Sequence, residues 1–417
     1  MPRPIRFRPP RVVAPPEVRW MLLRAFGPPG APFPDPVEPL AALAAARQFE
    51  VSARVASRQG RARLAAELGE EVAAVFQRDQ ARAAALGMRV SALAQEVAGA
   101  AAPLGIPLVL LKFAALDASG VRILGTRTVC DLDVLAPADR AAELQEALLA
   151  RGYRSSGLPE SEHQLPAIVH PAGGVVEVHR RVLGVRPDGG ASATAGTLER
   201  GGLLLPAPGL PGRCAVPVPE VQAAHILVHG IGQHGWWPDS YSLLKMVADL
   251  TDLGFHEEDE AFRRAAGLVA RDVSPAEAEA VRRLCAALAA GADLLAADAG
   301  SASGEAVLLR HILAGRLDGG YAAALRLGFF QPQPSDRPAA VRLARSVLGA
   351  LFLTRAQVDA IYGRPRHPLG YLGRRLARPF DLLFRLGIYG ARTVRLRLKP
   401  SPPGPLSRHR ERGRKKG

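Results

Sequence analysis

The sequence is short of cysteine, of aromatic residues and of long apolar runs, and each shortage excludes something. Its three cysteines, Cys130, Cys214 and Cys285, are sparse and odd in number, with no pair at a metal-ligand spacing. A disulfide scaffold and a cysteine-held zinc module are therefore excluded, and reduced thiols in a cytoplasmic protein are expected. Aromatics make up 5% of the chain, whereas Ala, Leu, Arg, Gly and Pro dominate, a composition of helices joined by Pro/Gly breaks. No uncharged apolar run reaches the roughly 18 residues of a membrane span. Met1 to Arg11 is basic and proline-containing without an apolar stretch, so no export signal is expected either.

Acidic residues are also missing from one end. The formal net charge is +15, and residues 364–417 hold 16 Lys and Arg against two acids, Asp381 and Glu411. The remaining body, 1–363, is close to neutral, with 38 basic residues against 37 acidic ones. Basicity is thus a property of the tail and says little about the body.

What is present is a chain of 417 residues, 48% of them hydrophobic, enough for a sizeable core and two or three domains. Its chemistry gathers in 107–135 and 175–179. In Cys130-Asp131-Leu132-Asp133-Val134-Leu135, strand alternation points Asp131 and Asp133 to one side and their apolar neighbours into a core. Val175-Val176-Glu177-Val178 reads as a second strand of the same sheet, bringing Glu177 to the pair. Three adjacent carboxylates repel one another, and an all-oxygen set selects a hard cation, Mg²⁺ or Mn²⁺. Lys112, closing the strand Leu108 to Leu111, and Arg127, four residues before Asp131, offer positive charge for a polyphosphate. Together these are the components of a phosphoryl or nucleotidyl transfer site.

Leu110-Leu111-Lys112, Arg127, Asp131-Leu132-Asp133, Arg151-Gly152-Tyr153 and Val176-Glu177-Val178-His179 resemble a bacterial family of nucleotidyltransferase-like proteins. That family belongs to the DNA polymerase β-like nucleotidyltransferase superfamily. The resemblance covers about residues 85–255, including His225, His229, His234, Gly235 and the helix Leu243 to Leu250. It implies Asp131, Asp133 and Glu177 as metal ligands of a two-metal site, and a nucleoside triphosphate that donates a nucleotide to an acceptor: small molecule, protein or nucleic acid. One position departs from the pattern. Phe113 stands where the family has glycine, beside the phosphates, and a ring there would crowd the triphosphate. The alternative is therefore a catalytically weakened binding module.

The expected architecture is α+β: a small mixed β-sheet of nucleotidyltransferase type flanked by N- and C-terminal helical regions. Residues 1–38 read as an irregular proline-rich arm. Residues 39–102 read as amphipathic helices, with Leu40, Leu43 and Phe49 and then Leu64, Leu68, Val72 and Phe76 recurring near 3.6. Residues 103–185 form the core, with a hairpin turning tightly at Gly173-Gly174. Residues 186–215 read as a Gly/Pro-rich linker, 216–363 as a C-terminal helical domain and 364–417 as the basic tail. Cys130 is expected to pack within its strand.

Several residues form a second tier. His179 shares a face with Glu177 and reaches the site or the surface. His225 and His229 fall one turn apart on the expected helix Val221 to His229, and His234 follows; without a third ligand or an HExxH glutamate they are structural or face the nucleotide or acceptor. Lys245 and Asp249, one turn apart, either pair with each other on the surface or join the site. In the tail, Leu372, Leu376, Phe380 and Leu383 interleave with Arg374, Arg375 and Arg378. Three readings stay open there: a helix packed on the body with a solvated end, a peripheral contact with the inner face of a membrane, and nucleic-acid binding.

Overall fold

The structure, a computed structural model, describes residues 14–121, 123–156, 160–234, 242–257, 260–295, 303–317 and 369–381, and the single positions 348, 358, 365, 367 and 383. The start of the proline-rich arm, Gly235-Trp236-Trp237, most of the Ala299 to Gly304 interruption and the tail beyond 383 lie outside the described residues.

Four helices open the described chain: α1 (Pro16–Phe26), α2 (Pro39–Gln48), α3 (Ser52–Leu68) and α4 (Glu70–Ala101). The expected irregular arm thus contains a full helix. Pro16 starts α1 instead of breaking it, because a first-turn residue needs no N–H acceptor and proline's φ is already helical. Trp20, Met21, Ala25 and Phe26 of α1 are buried, and Trp20 Nε1 donates to Glu67 Oε2 at 2.9 Å. At the start of α2 the Glu38 carboxylate accepts from the Leu40 and Ala41 amides. The hydrophobic run Leu64, Leu68, Val72, Phe76 straddles a sharp turn at Gly69 (φ 85°), and all four side chains are buried. Leu40, expected on the apolar face, is exposed.

The sheet follows: β1 (Leu108–Leu110), α5 (Lys112–Ala118), β2 (Asp131–Leu135), α6 (Ala141–Ala150), β3 (Arg154–Ser155), β4 (Ile168–Val169) and β5 (Val175–His179). The hairpin β4–β5 forms as expected, but its corners are Pro171 and Ala172: the Gly173 amide donates to the His170 carbonyl at 2.9 Å. Gly173 and Gly174 (φ 91° and 103°) steer the exit from that turn, where a side chain at Gly174 would strike Leu93 of α4.

Residues 186–215 are not a plain linker. They carry α7 (Ala195–Arg200), β6 (Leu204–Pro206) and the start of β7 (Cys214–Pro217), and β7 joins β1 in parallel. Arg186 is held by a buried ion pair to Asp272 at 2.9 Å. Glycine and proline here mark the turns between short elements, which composition alone does not separate from a loop. Among the described residues the sheet therefore has seven strands in the order β3-β4-β5-β2-β1-β7-β6, with parallel pairs β2·β5 and β1·β7 and antiparallel pairs elsewhere. With helices around this mixed sheet, the fold class is α+β.

The chain continues through α8 (Pro219–Leu227), a π-helical turn over Val228–His234, α9 (Leu243–Asp252), α10 (Glu260–Val269), α11 (Pro275–Ala289) and α12 (Gly304–Leu317). One hydrophobic core runs from Val18 in α1 to Leu313 in α12. A bidentate pair, Arg54 to Asp252 at 2.6 and 2.8 Å, ties α3 to α9.

Candidate active site

The site begins with the register of two parallel strands. Leu132, Val134, Val176 and Val178 are fully buried, so alternation turns Asp131, Asp133, Glu177 and His179 to the opposite face. Asp133 lies directly beside Glu177, and Asp131 beside Val175, one pleat further along. Asp133 is 3% exposed and Glu177 is half-buried.

Lys112 reaches this cluster through an unusual backbone. It has φ +49°, a conformation that costs a non-glycine residue about 1 kcal/mol, at the switch from β1 into α5. The Leu111 amide donates to the Asp133 carbonyl at 3.1 Å, which locks the switch to β2. Lys112 Nζ then lies 2.8 Å from Asp133 Oδ1. His179 Nε2 donates to the same oxygen at 2.9 Å and lies 3.6 Å from Glu177 Oε2. Asp133, Glu177 and His179 offer ligand atoms within 4.8 Å of one another, the one such grouping among the described residues. Asp131 is outside it because one pleat separates it from the Asp133–Glu177 pair, about 6–7 Å along the strand.

The electrostatics follow from this crowding. Burial raises the Asp131 carboxyl, and the charges of Asp133 and Glu177 raise it further against Lys112. Burial also opposes the Asp133 charge, but Lys112 and His179 override it and hold that carboxyl well below its usual range. His179 is lowered by burial and raised more by its bonds to Asp133 and Glu177, so it keeps its proton more firmly than a free imidazole. Three carboxylates face one lysine and one histidine, an excess of negative charge that fits a divalent cation.

The expected cation Arg127 lies near enough for its charge to lower the Asp131 carboxyl, but its ion pair is with another acid. Its Nη1 pairs with Asp249 Oδ2 at 3.0 Å, both side chains nearly buried, and burial pushes the Asp249 carboxyl up to about 6 against the pull of Arg127. Lys245 does not pair with Asp249 but with Glu50, at the end of α2. Both contacts join residues far apart in the chain, which helical spacing cannot foresee. These ion pairs lock α9 in place.

The histidines line the other side. His225 is on α8, while His229 and His234 are carried by the π-helical turn, so the expected α-helix stops at Leu227. The turn sits so close to α9 that a Cβ at Gly230 would lie 2.2 Å from Met246 Sδ. His229 Nδ1 is 2.7 Å from Gln233 Oε1, and its ring is 4.8 Å from that of His234. Burial lowers His225 to about 3 and His234 to about 4, with Lys112 adding to both, and lowers His229 strongly as well. His163, which carries no sequence signal, has its ring 5.7 Å from His179 and is pushed down to about 3 by burial. The site is thus walled by neutral imidazoles.

Two further residues differ from expectation. Phe113 is 2% exposed and turned into the core, where a Cβ built at Gly87 would lie 3.0 Å from its Cζ. Its ring does not crowd Lys112. Cys130 is exposed at the head of β2 instead of packed, with Sγ 3.9 Å from Asp131 Oδ1.

A mixed sheet that sets Asp-x-Asp on one strand beside a glutamate on its parallel neighbour, with a lysine folded onto them, defines a nucleotidyltransferase-type domain. The chain belongs to the uncharacterised nucleotidyltransferase family, whose model matches residues 35–274. The match is wider than the resemblance read from motifs, taking in α2, α3 and α10. No curated protein and no solved structure matches the chain.

Proposed function

We propose that the protein is a Mg²⁺-dependent nucleotidyltransferase of DNA polymerase β-like type, moving a nucleoside monophosphate from a nucleoside triphosphate to an acceptor hydroxyl or phosphate. The observation that carries this reading is the alignment of Asp133 with Glu177 on adjacent parallel strands, with Lys112 Nζ at 2.8 Å. Asp131, Asp133 and Glu177 would hold the metal, with His179 at its edge. When bound, Mg²⁺ or Mn²⁺ supplies charge neutralisation for the triphosphate and the attacking oxygen.

The chain's own residues do the rest. Lys112, the cation closest to the carboxylates, takes a phosphate oxygen and balances charge as the α-phosphate is attacked. His179 fixes the rotamers of Asp133 and Glu177 through Nε2 and is a positioning residue. His225 and His229, held uncharged by burial, add no competing positive charge beside Lys112. Arg127 and Asp249 act indirectly, by holding α9 against the sheet. No covalent intermediate is needed, because in-line displacement requires only alignment and charge stabilisation.

The burial of the Phe113 ring favours this reading over the competing one, a weakened binding module recruited by its basic tail to a membrane surface or nucleic acid. The test is pyrophosphate release and metal-dependent thermal stabilisation with each of the four nucleoside triphosphates. Wild type is compared with a variant carrying Asp131→Asn and Asp133→Asn. Release and stabilisation in wild type, both lost in the double variant, are expected. Absence of both from wild type with every triphosphate and with both metals would exclude the reading.

A further inference from the structure

The C-terminal helix over 369–381 is inverted relative to an ordinary surface helix. Leu369, Leu372, Leu376, Phe380 and Leu383 are each between 56% and 73% exposed. At about 100° per residue they fall within an arc about 80° wide, a single outward stripe. Arg378, on the opposite side, is fully buried and donates to Asp381 Oδ2 at 3.0 Å. A helix that belongs only to a soluble surface turns its apolar stripe to the core and its arginines to water. Here the apolar stripe faces outward, Arg374 is exposed and Arg378 is turned in, so the stripe is shaped for something outside the chain.

We propose that this stripe, with Arg374 and Arg375 of the same helix, forms a peripheral docking surface for an anionic lipid bilayer, with the helix lying in the plane of the headgroups. No helix among the described residues is long and apolar enough to cross a membrane, whereas an amphipathic stripe suits a helix lying in the interface. Charge selects among the alternatives. Residues 364–417 carry 16 Lys and Arg against two acids, so a second copy would set one strongly positive segment against another. Nucleic acid would neutralise the charge but leaves five large apolar side chains in water, because phosphate contacts make no use of them. A bilayer with anionic headgroups takes both: acyl boundary for the stripe, phosphate for the arginines. The proposal does not depend on the nucleotidyltransfer reading.

The experiment is flotation of the full-length chain with vesicles of phosphatidylcholine alone and of phosphatidylcholine with about one-third phosphatidylglycerol, at low and high salt. Wild type is compared with Leu372→Ser/Leu376→Ser/Phe380→Ser. These side chains are exposed, so the fold should survive; circular dichroism checks this. Wild type is expected to bind the anionic vesicles at least tenfold more strongly than the neutral ones, weakening with salt, and the triple variant to lose at least tenfold. A second variant, Arg374→Gln/Arg375→Gln, is expected to lose part of the binding and part of its salt dependence.

Failure of wild type to float with anionic vesicles overturns the proposal without any variant. Equal flotation of wild type and folded triple variant also overturns it, leaving charge alone at work. Two further measurements cover the other occupants. A wild-type dimer that becomes a monomer in the triple variant, without lipid binding, would assign the stripe to a second copy. Tight binding of single-stranded RNA by both proteins, with no flotation, would assign the tail to nucleic acid.

Discussion

Lys112 and Asp133 form an ion pair at the heart of the sheet, with Nζ 2.8 Å from Oδ1 and the carboxylate 3% exposed. Removing the lysine leaves a buried charge supported by His179 alone. Lys112→Met is therefore expected to lower stability by about 3 kcal/mol, with part of the loss recovered in Lys112→Met/Asp133→Asn. Denaturant titration checks it, and Mg²⁺ should stabilise the single variant more than wild type.

Asp131 is a charge the fold would sooner not carry, since burial and two acidic neighbours raise its carboxyl. With the folded-state value above the unfolded one, the ionised form weakens the fold as pH rises past the unfolded value. Asp131→Asn should thus raise the melting temperature of the metal-free protein at pH 8, with the gain shrinking toward pH 4. The same change should reduce pyrophosphate release by on the order of a thousandfold. A stabilised variant with full activity would remove Asp131 from the metal site.

His225 gives a pH dependence of opposite sign. Burial lowers it to about 3, so the unfolded chain binds the proton more tightly than the native one. The His225 contribution to stability is complete above about pH 6.5 and falls by about 1.4 kcal/mol for each unit below it, down to about pH 3, with the other lowered histidines adding to the slope. Urea titrations from pH 8 to 4 should show this slope in wild type, and a shallower one in His225→Asn.

Arg127 and Asp249 should behave as a structural couple. Arg127→Ala and Asp249→Ala are each expected to cost about 3 kcal/mol, and the double variant much less than their sum. If instead Arg127→Ala left stability unchanged and raised only the KM for the triphosphate, direct contact with nucleotide would be the better account.

Phe113→Gly restores the residue expected from the family pattern, yet it should harm. The ring fills core space against Gly87, and its removal leaves a cavity worth about 3–5 kcal/mol. No gain in triphosphate affinity is expected from a fluorescence-based titration.

The strands of the candidate site were legible in the sequence because strand chemistry is local. Period-two alternation places Asp131 with Asp133 and Glu177 with His179, and buried valines on both strands fix which face is which. Lys112 was legible by position, although its left-handed backbone was not. What stayed hidden depends on residues distant in the chain. Arg127 could be assigned to the acids or to Asp249 only once α9 was in place, and Lys245 meets Glu50 in the turn after α2, almost two hundred residues earlier. The run 186–215 looked like a linker because β6 and β7 are too short for a periodic signal and draw their stability from β1. His163 carried no pattern at all.

Asp131 and Asp133 sit on β2, the middle of the seven described strands, and Glu177 on its neighbour β5. A sheet loosens from its rims, where amides lack a second neighbour, so β3 and β6 would exchange their hydrogens long before β2. Breathing at either rim therefore leaves the central carboxylates at their spacing, so the geometry of the candidate site is insulated from motion at the sheet's margins.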